Sequence, residues 1–559
     1  MMGAFVNPIK VSIQQFYGIE INDFAVTVAT TALWISEALM LAETERIIHQ
    51  DIDFLPLKPY HNIREGNALR MDWDVIELPN DIPTIHAKNT YVIFDDKPLM
   101  ASEPSYDEVN LVTTGIERGP KPPTKSGVRY DYIIGNPPFV GARLMSESQK
   151  QDVLDIFGKE WKNVGNLDYV SCWYRKAASV MKMNPKCRTA LVSTNSICQG
   201  EQVANLWEQL FEQGIRINFA HRTFRWDSEA SLKAHVHCVI VGFSLDDYKP
   251  KGCMLFDNGK ASKVSHINAY LMGAPDVFVG SRSKPLCDVP DIGIGNKPID
   301  GGNYLFEQDE MEEFIKIEPQ SAPYFHKWYG SYEFINQKPR YCLWLGDCSP
   351  AELRKMPHSL KRVDNVRQLR LKSPSAGTRK LADRPTRFHV ENMPDGNYII
   401  VPSVSSERRR YIPMGFMSPN SFASNLVLII PNATFYHFGI LESNVHMAWM
   451  RVVCGRLKSD YRYSKDVVYN NFPWPNPTDE QKAKIEKTAQ VILDVRAKYL
   501  DCSLADLYDD VAMPVDLRKA HQENDNAVMC AYGFDPKEME DKESLLVAEL
   551  FKLYQALTK

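Results

Sequence analysis

Asp131-Tyr-Ile-Ile-Gly-Asn-Pro-Pro-Phe139 is the stretch on which the fold and chemistry of this chain turn. Tyr130 to Ile134 has the aromatic and β-branched composition of a buried strand. It runs through Gly135 and Asn136 into two prolines. Each proline fixes φ and removes a backbone donor, and a residue before proline is held extended. The product is a stiff loop at the carboxyl end of a strand, the edge where open α/β sheets carry ligands. There the side-chain carbonyl of Asn136 and the main-chain carbonyl of Pro137 can face one point. Two converging acceptors suit an amino group with two N–H donors. Gripping both leaves the nitrogen lone pair directed outward, toward an electrophile. Phe139 offers a flat apolar face for a planar base. A base inside a duplex reaches such a pocket only when extruded. On its own, Asn-Pro-Pro can also be a plain turn.

Working outward, the chain to about residue 285 alternates strand-like and helix-like segments. Phe16 to Ile21 reads as a short buried strand, and Asn22 or Asp23 can cap a helix with Phe24, Val28, Ala32 and Ile35 on one face. Leu167 to Met181 reads as a helix, and Thr189–Ser193 and His237–Phe243 as strands. This alternation predicts a mostly parallel sheet covered on both faces. A Pro-, Gly- and Asp-rich stretch near 284–303 marks a boundary. Residues to about 475 are dense in aromatics, Arg, Lys and Pro. Thr478-Asp-Glu-Gln481 is a capping-box pattern, followed by a helix with Ile485, Ala489, Ile492 and Val495 on one face. A further helix is expected at Leu545 to Leu557. The expected domains are therefore 1–285, 286–475 and 476–559.

The bulk numbers narrow the classes. With 559 residues, 44% apolar and 24% charged, the composition is that of a globular chain of several domains. No run approaches the roughly 18 uninterrupted apolar residues of a membrane span, and no signal peptide is evident. The eleven cysteines show no Cys-x-x-Cys pair, which argues against a zinc site or disulfide frame and for a reducing cytoplasm. The net charge of −5 leaves nucleic-acid binding to a local basic face.

With these residues in view, the chain resembles the MmeI-like restriction–modification family of DNA adenine-N6 methyltransferases. Asn136-Pro-Pro-Phe139 is similar to the family's catalytic loop. Phe16-Tyr-Gly-Ile-Glu-Ile-Asn22 resembles the strand whose acid holds the cofactor ribose, and Gly66-Asn-Ala-Leu69 the loop at the cofactor's adenine. Asn163-Val-Gly-Asn-Leu-Asp-Tyr169 and Ser193-Thr-Asn-Ser196 fall where later motifs of the fold fall. Gly455-Arg-Leu-Lys-Ser-Asp-Tyr-Arg-Tyr-Ser464 and Tyr469-Asn-Asn-Phe-Pro-Trp-Pro475 are similar to the family's recognition domain. The resemblance implies an incomplete Rossmann-like sheet that binds S-adenosylmethionine. It also implies an α+β target-recognition domain and a helical C-terminal segment. It assigns catalysis to Asn136, Pro137, Pro138 and Phe139, and cofactor contact to Glu20, Ile21, Asn67 and Ala68. Physically, Glu20 can accept from two vicinal hydroxyls, or simply be an acid favoured at a helix start. Asn67, where many relatives carry Asp, can also be a turn residue. Phe224 and Trp226 fall where the family stacks an aromatic on the flipped base, though core packing is the commoner use of such residues.

One expected part is absent. The family's Asp-Pro-x-x-Gly-x-Gly cofactor loop should precede Phe16, and Met1 to Gln15 holds one glycine, Gly3. The strand that carries that loop is central, so the strands ending at Glu20 and Asn136 are expected to show unpaired edges. An upstream polypeptide could complete the sheet. No nuclease signature is evident.

Residues 354–410 hold fourteen Lys and Arg against five acids. The expected DNA contacts are Arg408, Arg409 and Arg410, with Arg456, Lys458, Arg462 and Tyr463 as a second cluster. Each alone could be solvated surface. The expected function is site-specific methylation of adenine N6 in double-stranded DNA. The alternatives are an impaired fragment that only binds DNA, or an RNA- or protein-directed enzyme with the same loop.

Overall fold

The computed structural model describes residues 11–49, 62–73, 75–77, 124–126, 129–226, 236–245, 252–539 and 542–559. They fall into two compact units, Met1–Asp131 with Ser179–Cys187, and Tyr132–Ala178 with Arg188–Lys559.

In the first unit, β1 (Gly18–Glu20) pairs in parallel with β2 (Ile63–Glu65). Between them runs α1 (Asp23–Ile48), capped as expected by Asn22, whose side chain accepts the Ala25 amide at 2.8 Å. A short antiparallel pair joins β3 (Val75–Glu77) and β4 (Thr124–Ser126). The expected helix is present, but Phe24, Val28, Ala32 and Ile35 are exposed and form no buried face among the described residues. α1 is long and apolar enough, by length and composition alone, to cross a membrane; a helix covering a sheet has the same composition.

The second unit holds a six-stranded sheet: β5 (Tyr132–Gly135), β6 (Arg188–Thr194), β7 (Ile215–Trp226), β8 (Val236–Leu245), β9 (Cys253–Asp257) and β10 (Lys260–Val264). Its order is β10-β9-β7-β8-β6-β5. β5–β6 and β7–β9 are parallel; β6–β8, β7–β8 and β9–β10 are antiparallel. The sheet is thus mixed, which corrects the mostly parallel expectation. β10 follows β9 through the turn Asn258–Gly259 with no crossover helix, so it returns antiparallel, as β8 does beside β7. The expectation of a buried strand before the prolines is also corrected. β5 is an edge strand with β6 as its neighbour among the described residues, and Tyr132 and Ile134 are 67% and 82% exposed.

Two helices position the loop after β5: α2 (Glu147–Phe157) and the first turns of α3 (Ser171–Met183). Tyr174 of α3 stacks on Phe243 of β8, with ring centroids 5.3 Å apart, and its hydroxyl meets Ser193 Oγ of β6 at 2.6 Å. The start of α3 is thereby fixed against the sheet.

Beyond residue 290 come two four-stranded sheets. One runs Gly293–Ile294, Val427–Pro431, Tyr398–Pro402, Gly415–Met417. The other runs Leu305–Phe306, Arg340–Leu343, Phe325–Tyr329, Ser421–Ala423. Trp328, Trp344, Phe306, Phe388 and Phe422 form an aromatic core under the helix Pro357–Leu371. The segment from Asp479 is helical, with main helices Asp479–Arg496, Val515–Ala531 and Glu543–Thr558. Thr478 and Gln481 form the expected capping box, and Ile485, Ala489, Ile492 and Val495 are all buried.

Candidate active site

The loop Asn136–Phe139 leaves the carboxyl end of β5 at the sheet edge. Pro137 is buried, Phe139 is half-buried, and Asn136 and Pro138 are exposed. The Asn136 side chain makes no hydrogen bond among the described residues. An unengaged amide on a rigid loop keeps its acceptor for a ligand rather than for the fold. Pro137 anchors the loop to the interior while its neighbours on either side face outward.

The loop is held from behind. The Tyr169 amide donates to the Val140 carbonyl at 2.9 Å, and the Ala142 amide donates to Asp168 Oδ1 at 2.9 Å. Asp168 Oδ2 accepts the Ser196 hydroxyl at 2.6 Å, and Ser196 Oγ lies 2.7 Å from Thr194 Oγ1. The Asp168 amide donates to Gln202 Oε1 at 3.2 Å, and Gln202 Nε2 donates to the Asn166 carbonyl at 2.6 Å. The Tyr169 hydroxyl donates to the buried carboxylate of Asp152 at 2.7 Å. The stretches 163–169 and 193–196, singled out from sequence, therefore meet the segment just after Phe139.

In the first unit, Glu20 ends β1 and Asn67 follows β2 in register, because the Gly66 amide donates to the Glu20 carbonyl at 2.7 Å. The Glu20 carboxylate is exposed and has no hydrogen-bond partner among the described residues, and Ile21 beside it is exposed. Asn67 Oδ1 accepts the Leu69 amide at 2.9 Å, and the Ala68 carbonyl accepts Trp73 Nε1 at 2.8 Å. The turn is thus prebuilt, and its Asn serves it as an Asx turn. A carboxylate held at a strand end with both oxygens open fits a pair of vicinal hydroxyls, as a nucleoside cofactor would present.

Matched to protein-family models, residues 3–257 fit the DNA-methyltransferase domain of MmeI, 273–476 its target recognition domain and 477–559 its C-terminal domain. The solved structure of the type IIL restriction–modification enzyme MmeI in complex with DNA is similar to this chain at 40% identity and a TM-score of 0.80. That match covers 98% of this chain and 67% of that one. The chain belongs to the MmeI family. DNA methyltransferase A of Bacillus subtilis (strain 168) is 38% identical over 560 residues, which take in 100% of this chain and 58% of that protein. The chain thus spans a little over half the length of that curated relative. The expected architecture, an α/β methyltransferase domain, a mixed recognition domain and a helical end, is that of the MmeI family.

The remaining expected residues of this MmeI-family chain fare unevenly. Phe224 lies half-buried on β7 beside a register shift between His221 and Phe224. Trp226 ends β7, and its side chain lies outside the described residues. Arg408, Arg410, Lys458 and Arg462 are exposed, and Arg409 is half-buried. Arg456 stacks its guanidinium 4.0 Å over the Tyr461 ring and donates to the Ser459 carbonyl at 2.8 Å. With Arg222 and Asn195 it lines a cavity of about 110 Å³ at the ends of β6 and β7. Tyr463 is a correction. It is 2% exposed and hydrogen-bonded to His446 Nε2 at 2.9 Å, so its ring belongs to the core and not to a DNA surface.

Arg370, counted in the basic stretch, is also internal, and its guanidinium donates to five backbone carbonyls. The Tyr469-Asn-Asn stretch is structural too. Asn470 Nδ2 donates to the Arg282 carbonyl at 2.7 Å, Asn471 Nδ2 to the Gly280 carbonyl at 2.9 Å, and the Tyr469 hydroxyl to the Pro290 carbonyl at 2.8 Å. These bonds tie residues 280–290 to the stretch 469–471 within the part of the chain that fits the recognition domain. The helix expected from Leu167 begins only at Ser171, which leaves Asp168 ahead of it and free to reach Ala142 and Ser196.

Proposed function

We propose that the chain carries the target-base loop and the recognition half of an enzyme that methylates adenine N6 at a specific site in double-stranded DNA. The setting is a restriction–modification or related defence system in the cytoplasm. Asn136 Oδ1 and the Pro137 carbonyl accept the two N–H groups of the extruded adenine's amine, and Phe139 stacks on its ring. Held this way, the amine turns its lone pair toward the methyl donor. S-adenosylmethionine, when bound, supplies a sulfonium methyl electrophilic enough that no strong general base is needed. Glu20 and Ile21 with Asn67 and Ala68 are the residues of this chain that would hold it. Phe224 and Trp226 are the stacking candidates for the opposite face of the base. The domains divide at about 285 and 475.

The observation that carries this reading is the open Asn136 amide on a proline-stiffened loop at a sheet edge. The exposed Arg408, Arg410, Lys458 and Arg462, with Arg409 and Arg456, supply charge for the phosphate backbone. Among the described residues β5 pairs with β6 alone, and its other edge can take a further strand, which a separate polypeptide carrying a glycine-rich cofactor loop would supply. Two measurements test the proposal. Methylation sequencing of DNA from cells that express the chain, with and without the upstream region, should show one modified adenine context when both are present. Calorimetry should show micromolar cofactor binding only with that polypeptide added; such binding by the chain alone overturns the partner. Transfer of labelled methyl to tRNA or protein rather than duplex DNA overturns the substrate.

A further inference from the structure

The carboxylate of Asp168 sits three residues ahead of α3, where an acid ordinarily caps the helix amides. It does not do so here. Ser171 is taken by the Asp168 main-chain carbonyl, and both side-chain oxygens turn to other segments. Oδ1 holds the Ala142 amide, three residues after Phe139, and Oδ2 holds the Ser196 hydroxyl just past the end of β6. One carboxylate therefore joins the loop, the helix start and the neighbouring strand. Tyr169 adds a second point by donating to Val140, so residues 140–142 are gripped twice from the same side. Gln202, itself buried, fixes the Asp168 backbone, and Tyr174 fixes α3 to β6. The chain of contacts is continuous from the sheet interior to residues 140–142, directly after the loop that begins at Asn136.

We propose that Asp168, with Ser196, is the positioning residue that sets the pose of the Asn136–Phe139 loop for methyl transfer. The inference rests on the proposed reading of that loop. Asp168 acts through the backbone of Ala142 and needs no contact with the base. Whatever pairs with the outer edge of β5, residues 140–142 are held by hydrogen bonds from Asp168 and Tyr169. Among the described residues the loop's pose is therefore set from behind, through Asp168. Since displacement of a reacting group by about 1 Å can cost on the order of 100-fold in rate, loosening this junction should appear in turnover rather than in affinity.

The test compares Asp168→Ala, Asp168→Asn, Ser196→Ala and Asn136→Ala. Each is assayed in the preparation in which the wild-type chain methylates plasmid DNA at its sequenced site. Asp168→Ala should lower kcat by roughly 10- to 100-fold while KM for DNA stays within about twofold. Asp168→Asn should recover most of the loss, because its oxygen still accepts from Ala142 and its amide can meet Ser196. Ser196→Ala should lower kcat by a few fold with KM unchanged. 2-Aminopurine at the target position should still brighten on binding to Asp168→Ala, since DNA is bound and the base extruded but poorly posed. The proposal is overturned if Asp168→Ala turns over within twofold of wild type, or if Asp168→Asn loses as much as Asp168→Ala. It is overturned equally if KM rises in step with the fall in kcat. If Asp168→Ala does not fold, Asp168→Asn and Ser196→Ala decide: wild-type turnover in Ser196→Ala, or a dead Asp168→Asn, counts against it. An active Asn136→Ala would instead sink the reading of the loop itself.

Discussion

Replacing Arg370 by Lys should unfold the recognition domain at a markedly lower temperature. Arg370 is 0% exposed near the carboxyl end of the helix Pro357–Leu371. Its Nε donates to Ile299 at 3.0 Å, one terminal nitrogen to Leu381 and Arg384 at 2.9 and 3.0 Å, and the other to Pro298 and Arg387 at 2.8 Å each. All five guanidinium N–H donors are used. An ammonium has three donors and no planar fork, so at least two of these carbonyls lose their partner. With hydrogen bonds to charged groups contributing about 1.5–3 kcal/mol each, and water able to satisfy part of the loss, the Lys variant should cost about 2–4 kcal/mol. Methionine, which removes every donor and leaves all five carbonyls without it, should cost more than lysine, about 3–5 kcal/mol once water satisfies part of the loss. For a domain of this size each kcal/mol lowers the midpoint by about 2–4 °C. Tryptophan fluorescence reads the transition, because Trp328 and Trp344 lie in the core beneath the helix. A Lys variant that melts within about 2 °C of wild type would refute the argument, since it would mean those carbonyls are satisfied without the fork.

Other outcomes follow from the same geometry. Asp525 is buried, and desolvation raises its pKa from 3.8 to about 6 against the hydrogen bonds from Tyr411 and Asn444. A raised folded pKa gives stability that is complete below the unfolded value and lost as pH climbs through the folded one. The advantage of wild type over Asp525→Asn should therefore shrink by about 2 kcal/mol between pH 4 and pH 6 in urea titrations, and a constant or growing gap would contradict it. Alanine at exposed Arg408, Lys458 or Arg462 should weaken DNA binding at every sequence and reduce the slope of log affinity against log salt by about 1 each; unchanged slopes would remove them from the interface. Tyr463→Phe should leave DNA affinity unchanged and cost about 1 kcal/mol of stability through the lost bond to His446, so a drop in affinity at constant stability would restore it to the DNA surface.

The legible parts of this sequence were those where local chemistry and global structure ask for the same thing. Thr478 to Val495 could be read because a capping box and a 3.6-residue apolar period coincide. The loop at 136–139 could be read because two prolines constrain it whatever packs around it. Strand direction in the sheet is a tertiary property: nothing in β7 or β8 alone distinguishes a return from a crossover. The helix Val515–Ala531 escaped notice because His521, Asn524 and Asp525 are buried polar residues on its inner face, which breaks the apolar period. Tyr463 reads as a DNA contact, and Arg370 as one more charge in a basic stretch, because charge and aromaticity suggest exposure, while burial of either depends on partners distant in sequence. Asp168 was hidden for the same reason. Its partners are 26 and 28 residues away, and no spacing rule joins them.

The central claim is that Asn136 is spent on the substrate and not on the fold. Asn136→Ala tests it directly, with methylation of plasmid DNA and thermal stability measured on the same preparation. Because the side chain is exposed and unbonded among the described residues, stability should stay within about 0.5 kcal/mol of wild type and DNA binding should persist while methylation disappears. Methylation at the wild-type rate would contradict the account, and so would a loss of activity that merely tracks unfolding.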